Sequence, residues 1–109
     1  MTVKELAEKL NLCALCEDDT SREIDGAYTG DLLSWVMGHA KSGNVWITIM
    51  SNVNVVAVAS LCDVSMVILS ESSELCDDAL EKAKLQGINV YTSDKTSFEL
   101  CYETGKLLI

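Results

Sequence analysis

The sequence predicts a single compact α/β domain whose mainly parallel sheet is built of βαβ units and flanked by helices. Three observations carry that expectation. From Val45 onward, short β-rich runs alternate with helical patterns at a spacing of about 20 residues, as strand–helix–strand units require. The helical stretches bring their own start and stop residues. The chain of 109 residues has no proline and no low-complexity linker, so no internal boundary is drawn, and it is long enough to bury a core without metal or disulfide staples.

The first helix is expected from about Val3 to Asn11, opened by Thr2 as N-cap with Glu5 three residues on, a capping box, and lined by Leu6 and Leu10. Leu12 to Leu15 reads as a short strand, Glu17-Asp18-Asp19 as a solvated loop, and Glu23 to Tyr28 as a second strand. Thr29-Gly30-Asp31 interrupts the pattern, with Asp31 in the N-cap position for a helix from Leu32 to Ala40 that ends near Ser42-Gly43-Asn44. A strand at Val45 to Met50 and an apolar helix at Val53 to Cys62 follow. Next come a strand at Met66 to Leu69, a helix from about Glu74 to Gln86 and a strand at Ile88 to Tyr91. Gly87 stands where a left-handed residue ends a helix whose Cys76, Ala79, Leu80 and Ala83 share one face. Thr96 with Glu99 repeats the capping box before Phe98, Cys101 and Tyr102, in a helix expected to reach Thr104.

Charge narrows the function. Seventeen acidic against eight basic residues give a net charge of -9, a field that repels phosphate backbones and anionic headgroups, so neither nucleic acid nor a membrane surface is an expected partner. The longest apolar stretch, Val53 to Cys62, is shorter than the roughly 20 residues that a membrane span needs. The charged helical start carries no secretory signal, and five cysteines at scattered positions suit a reducing compartment, so a cytoplasmic location is expected.

Ser21-Arg22, then Ile24-Asp25-Gly26-Ala27-Tyr28 and Gly30-Asp31-Leu32-Leu33, resembles the Ser-Arg, apolar, Gly-Asp-Leu pattern of Mur ligase N-terminal domains. The downstream half is similar to the DRTGG domain and the related N-terminal domain of HPr kinase/phosphorylase. It contributes Ser65-Met66-Val67-Ile68-Leu69, the run Ala83-Lys84-Leu85-Gln86-Gly87-Ile88-Asn89-Val90-Tyr91-Thr92-Ser93, and the Thr96-Ser97-Phe98-Glu99 helix start. The resemblance covers nearly the whole chain. It implies a compact α/β domain, frequent homodimerisation and a regulatory or ligand-sensing role, and by position it makes Ser21 and Arg22 candidates for holding a nucleotide. The five-residue string that names the DRTGG family is absent, so no ligand site tied to it carries over. Absent too is a Gly-x4-Gly-Lys-Ser/Thr phosphate loop, so kinase activity is not implied.

Ser51, Asn52 and Asn54 lie between a buried strand and an apolar helix, where free N–H groups and the helix dipole favour an anion at the carboxyl end of a parallel strand. Thr29, Gly30 and Asp31 have the same setting. Helix capping alone explains both groups at least as readily. Cys13-Ala14-Leu15-Cys16 is a C-x-x-C pair, but a zinc site wants a second pair of ligands and a redox dithiol wants a helix start, so ordinary thiols are the favoured reading. His39 has no serine, cysteine or carboxylate placed by spacing to form a triad with it, and the acidic clusters at Glu17–Asp19 and Asp77-Asp78 lack calcium-loop spacing. Trp35 and Trp46 are expected in the core or an interface, and the apolar Leu107-Leu108-Ile109 in a docked tail or a homodimer contact.

The expected function is that of a regulatory or ligand-sensing domain with no catalytic centre, no cofactor and no metal, acting as a homodimer. Its ligand, of the nucleotide type, would sit at the strand-to-helix turns. A protein-interaction module of a larger enzyme or signalling complex is the rival reading, and a thiol or metal protein using Cys13 and Cys16 the third.

Overall fold

The computed structural model describes all residues from Met1 to Ile109. Its elements are α1 (Val3–Lys9), β1 (Cys13–Cys16), β2 (Ala27–Thr29), α2 (Leu33–His39), β3 (Val45–Thr48), α3 (Val53–Cys62), β4 (Met66–Leu69), α4 (Asp77–Gln86), β5 (Val90–Thr92) and α5 (Ser97–Leu108). The five strands form one sheet in the order β1-β5-β4-β3-β2. Strands β2 to β5 are parallel and stand side by side in chain order, while β1 closes the far edge antiparallel to β5. The α/β expectation therefore holds, with one antiparallel edge strand added.

Strands β3 (Val-Trp-Ile-Thr) and β4 (Met-Val-Ile-Leu) are buried at every position because both sheet faces are covered. Side-chain alternation splits the core in two. Trp46, Val67, Leu69 and Val90 face α2, α3 and α4 through Val36, Val55, Val56, Ala59, Ala79 and Ala83. Val45, Ile47, Met66, Ile68 and Tyr91 face the other way, onto Val3, Leu6, Leu10 and Leu100 of the α1 and α5 side. All three crossover helices thus share one face, and the parallel strands never reverse their order. The crevice that a reversal opens between the strand ends of doubly wound sheets is consequently missing.

The chain crosses from one edge of the sheet to the other through residues 17–26, which run beneath the amino ends of the parallel strands. One polar side chain placed directly before each of β3, β4 and β5 grips this belt. Asn89, before β5, accepts from the Asp18 N–H at 2.7 Å and donates to the Asp19 and Ser65 carbonyls. Ser65, before β4, donates to the Glu23 carbonyl at 2.7 Å, and Asn44, before β3, donates to the Asp25 carbonyl at 2.6 Å. On its other side the belt satisfies the first turn of α1, since Val3 and Lys4 donate to the Arg22 and Thr20 carbonyls. Contact is close enough to demand glycine at two turns: a Cβ at Gly87 (φ 68°) would meet Asp18 Oδ2 at 3.1 Å, and one at Gly43 (φ 84°) would meet the Asp25 Cβ at 3.1 Å.

Both capping boxes form as expected, and Gly87 ends α4 in the left-handed region. Other boundaries moved. The expected second strand at Glu23 to Tyr28 shrinks to Ala27–Thr29 because residues 23–26 are bound into the belt. Helix α4 begins at Asp77 rather than Glu74, leaving Cys76 exposed outside it, because Glu71 and Ser72 take left-handed φ values of 56° and 61° and donate to the Lys95 and Ser93 carbonyls. Helix α5 runs on to Leu108 and buries Leu100 and Thr104, so Phe98 and Tyr102 face solvent at 81% and 61% exposure. Leu107 and Leu108 form its last turn, and Ile109 is fully exposed.

Candidate functional site

The carboxyl ends of β2 and β3 bring two of the expected groups together. Thr29, Gly30 and Asp31 leave β2 beside Ser51, Asn52 and Asn54, which lead from β3 into α3. The link between them is Asp31. Its carboxylate accepts from the buried Thr48 hydroxyl at 2.7 Å and from the Ile49 N–H at 3.0 Å, so it latches the two turns instead of capping α2 as the sequence suggested. Leu32 holds the α2 N-cap position, without a side-chain bond, because Asp31 is already engaged. Thr29 Oγ1 donates to the Ile47 carbonyl at 3.0 Å, and the Gly30 carbonyl accepts the indole N–H of the fully buried Trp46 at 3.0 Å.

At the next turn Asn52 caps α3, its Oδ1 accepting from the Asn54 N–H at 2.9 Å. The Ser51 hydroxyl and the Asn54 side-chain amide make no hydrogen bond within the chain, and both residues reach the surface. Helix α3 differs from the other two helices of ten or more residues in the charge at its start. Its first turn has no carboxylate, whereas α4 opens with Asp77 and Asp78 and α5 with Glu99. No carboxylate in its own first turn therefore offsets the positive end of the α3 dipole.

Ser21 and Arg22 are not part of this group. They lie in the belt at the opposite end of the sheet, where the Arg22 guanidinium contacts the Asp63 carboxylate at 3.0 Å and donates to the Asp63 and Val64 carbonyls at 2.6 and 3.3 Å. A hydrogen bond from the Ser42 hydroxyl, and then Arg22, hold the Asp63 carboxyl below its ordinary range. Ser21 donates to Asp19 within the belt at 2.5 Å.

The clefts of appreciable volume lie away from the β2–β3 turns. One of about 550 Å³ opens between α1 and β1 over Tyr91, whose hydroxyl donates to Glu17 at 2.6 Å. Burial and that carboxylate push the Tyr91 phenol far above its usual value, so it stays protonated. Another, of about 380 Å³, lies between Ile24–Ala27 and Leu107–Ile109, and one of about 360 Å³ at the carboxyl end of β5 beside Cys13, Ser72 and Asp94. A smaller one, of about 270 Å³, is lined by Arg22 with Asp63 and Asn89. The clefts over Tyr91 and beside Cys13 were not legible in the sequence because both depend on β1 lying next to β5.

The remaining candidates stay apart. Cys13 is exposed and Cys16 buried on β1, with a register shift between Ala14 and Cys16, and burial raises the Cys16 thiol. No three His, Cys, Asp or Glu side chains lie close enough to hold a metal ion. His39 stacks on Trp35 at 4.2 Å between ring centres, with its Nδ1 2.8 Å from the Trp35 carbonyl. Trp35 itself is 59% exposed, which corrects any core role for it. No helix is long and apolar enough to cross a membrane.

No protein-family model matches the sequence, and no curated protein matches it. Among solved structures the chain is similar to the CBS and DRTGG domains of the regulatory region of Clostridium perfringens pyrophosphatase, in complex with the activator diadenosine tetraphosphate. The likeness has a TM-score of 0.77 at 15% identity, over 93% of this chain and 44% of that one. It shows a shared fold, in keeping with the DRTGG resemblance. The chain spans less than half of that structure's length.

Proposed function

We propose that the chain is a regulatory, ligand-sensing domain without a catalytic centre, which holds an anionic small molecule of the nucleotide class over the β3–α3 turn. The observation that supports this reading is the N-terminus of α3, whose first turn carries no carboxylate and where the Ser51 and Asn54 side chains are unengaged. Phosphate oxygens suit such a terminus. Thr29, Gly30 and Asp31 serve as the wall that fixes the turn, through the Asp31 latch, and Ser21 and Arg22 belong to the belt. Support also comes from the fold shared with a regulatory region solved with a dinucleotide activator.

A thermal-shift series with nucleotides and sugar nucleotides tests this. Ligand at a hundredfold excess over Kd adds about 2.7 kcal/mol, on the order of 10 °C for a domain of this size. Asn54→Ala should abolish the shift while leaving the unliganded melting point unchanged. Asn52→Ala should lower that melting point as well, since it removes a cap. Absence of any shift across the series overturns the reading.

A second reading, a protein-interaction module of a larger enzyme or signalling complex, is favoured by the exposed apolar side chains of Leu32, Trp35 and Met37 around α2.

A further inference from the structure

The cleft over Tyr91 is roomier, at about 550 Å³, than those beside Arg22, Cys13 and Leu107. One wall is a stripe along α1, where Lys4 and Glu8 are one turn apart and Asn11 is next in line, at i, i+4 and i+7. Glu17, which follows β1, lines the other side. The three ion pairs of the molecule lie elsewhere, so Lys4, Glu8 and Glu17 have no charged partner within the chain. Glu17 is nonetheless fixed in place. Its Oε2 accepts the Tyr91 hydroxyl at 2.6 Å, and Tyr91 is only 1% exposed, with burial and that carboxylate keeping the phenol protonated. A carboxylate anchored in this way has already lost the rotamer freedom that binding would otherwise cost, and its Oε1 is left for a ligand. A concave site with a few convergent polar groups is the ordinary setting for a small molecule.

We propose that this cleft is a second ligand site, separate from the β3–α3 turn, and that it takes a free dibasic amino acid such as lysine or arginine. Charge sets the class. The ionised side chains lining the cleft are one cation, Lys4, and two carboxylates, Glu8 and Glu17. A nucleotide or other phosphate ester meets more negative than positive charge there and is repelled. An amine without a carboxylate leaves Lys4 unmatched, and an amino acid with an apolar side chain leaves one of the two glutamates unmatched. One carboxylate with two cationic groups matches all three. Placement agrees with that count. The α-carboxylate and α-ammonium of an amino acid share one carbon, which suits Lys4 and Glu8, neighbours on one helix face with Cβ atoms about 6 Å apart. The side-chain cation then reaches across the cleft to the anchored Glu17.

Isothermal titration of the full chain at low ionic strength tests this with L-lysine, L-arginine and, as the analogue without a side-chain cation, L-norleucine. The two dibasic amino acids should bind at one site per chain with a Kd of about 1 mM or tighter, and norleucine about tenfold more weakly. Glu17→Gln should weaken lysine about tenfold and leave norleucine unchanged, so that the preference disappears. Glu8→Gln should weaken both ligands. All three titrated positions of the cleft are at the surface, and circular dichroism of the variants should match the parent. Glu81→Gln, on the exposed side of α4, controls for the general attraction of cations to a chain of net charge -9 and should change nothing. The site does not rest on the nucleotide reading, so Asn54→Ala should bind lysine as the parent does. Several outcomes overturn the proposal: no binding of either dibasic amino acid, norleucine bound as tightly as lysine, or equal losses in Glu81→Gln and Glu17→Gln. Equal binding of lysine blocked at its α-amino and α-carboxyl groups overturns it too, because Lys4 and Glu8 would then have no part.

Discussion

The two ends of the sheet put similar polar residues to different uses. At the amino end, Asn44, Ser65 and Asn89 are nearly solvent-free and reach across to a segment far away in the sequence, fastening the belt under three strands. At the carboxyl end, Asp31 bonds to Thr48 and Ile49, and Asn52 to Asn54, which fixes turn shapes and leaves the Ser51 and Asn54 side chains unengaged. One end is consumed by holding the fold together. The other leaves side chains unengaged, those proposed above to meet a ligand, so the same amide chemistry is spent on the fold at one end and free at the other.

Removing a belt grip should therefore cost most. Asn89→Ala strips three hydrogen bonds from a residue only 4% exposed and orphans buried backbone groups, with an expected loss of about 3 kcal/mol in urea unfolding. A loss no larger than that of a surface substitution would break the contrast between the ends. Asp31→Ala unpairs the buried Thr48 hydroxyl and the more exposed Ile49 N–H, so about 1.5 kcal/mol is expected. Asp31→Asn, which keeps an acceptor oxygen, should recover most of it.

The smallest effect is a matter of pH. The Asp63 carboxyl is held low by Ser42 and Arg22, so its contribution is present above the unfolded-state value of about 4 and is lost as pH falls through the lower folded value. Asp63→Asn should remove that acid-side loss, a difference of about 0.5 kcal/mol between the two urea midpoints, as befits an exposed pair. The same midpoint difference at neutral and acidic pH would show that the Arg22–Asp63 contact contributes nothing to the belt.

Much of the fold was legible because its signals were local. The continuous apolar runs at Val45–Thr48 and Met66–Leu69, and the Thr-x-x-Glu boxes, act within a few residues, and those elements began where expected. Features set by distant partners were not. Strand β1 belongs beside β5 only because Cys13 meets Thr92, and Asp31 looked like an N-cap because nothing nearby in the sequence announces Thr48 as its partner. Phe98 and Tyr102 lie outside the buried stripe because α5 turns Leu100 and Thr104 to the sheet, a rotation that its apolar residues alone do not determine. At the candidate site, sequence spacing located the β3–α3 turn. The family resemblance, rather than spacing, drew in Ser21 and Arg22, which the fold carries to the opposite end.

The order of the strands also sets the entropy of assembly. Pairing β3 with β4 joins Val45 to Met66, whereas adding β1 joins Cys13 to Thr92, so the second closure spans nearly four times as many residues. Loop-closure entropy makes that addition about 1 kcal/mol dearer. The parallel unit closes short loops in succession, while strand β1 and its belt are the long-range addition that fastens a sheet already able to form.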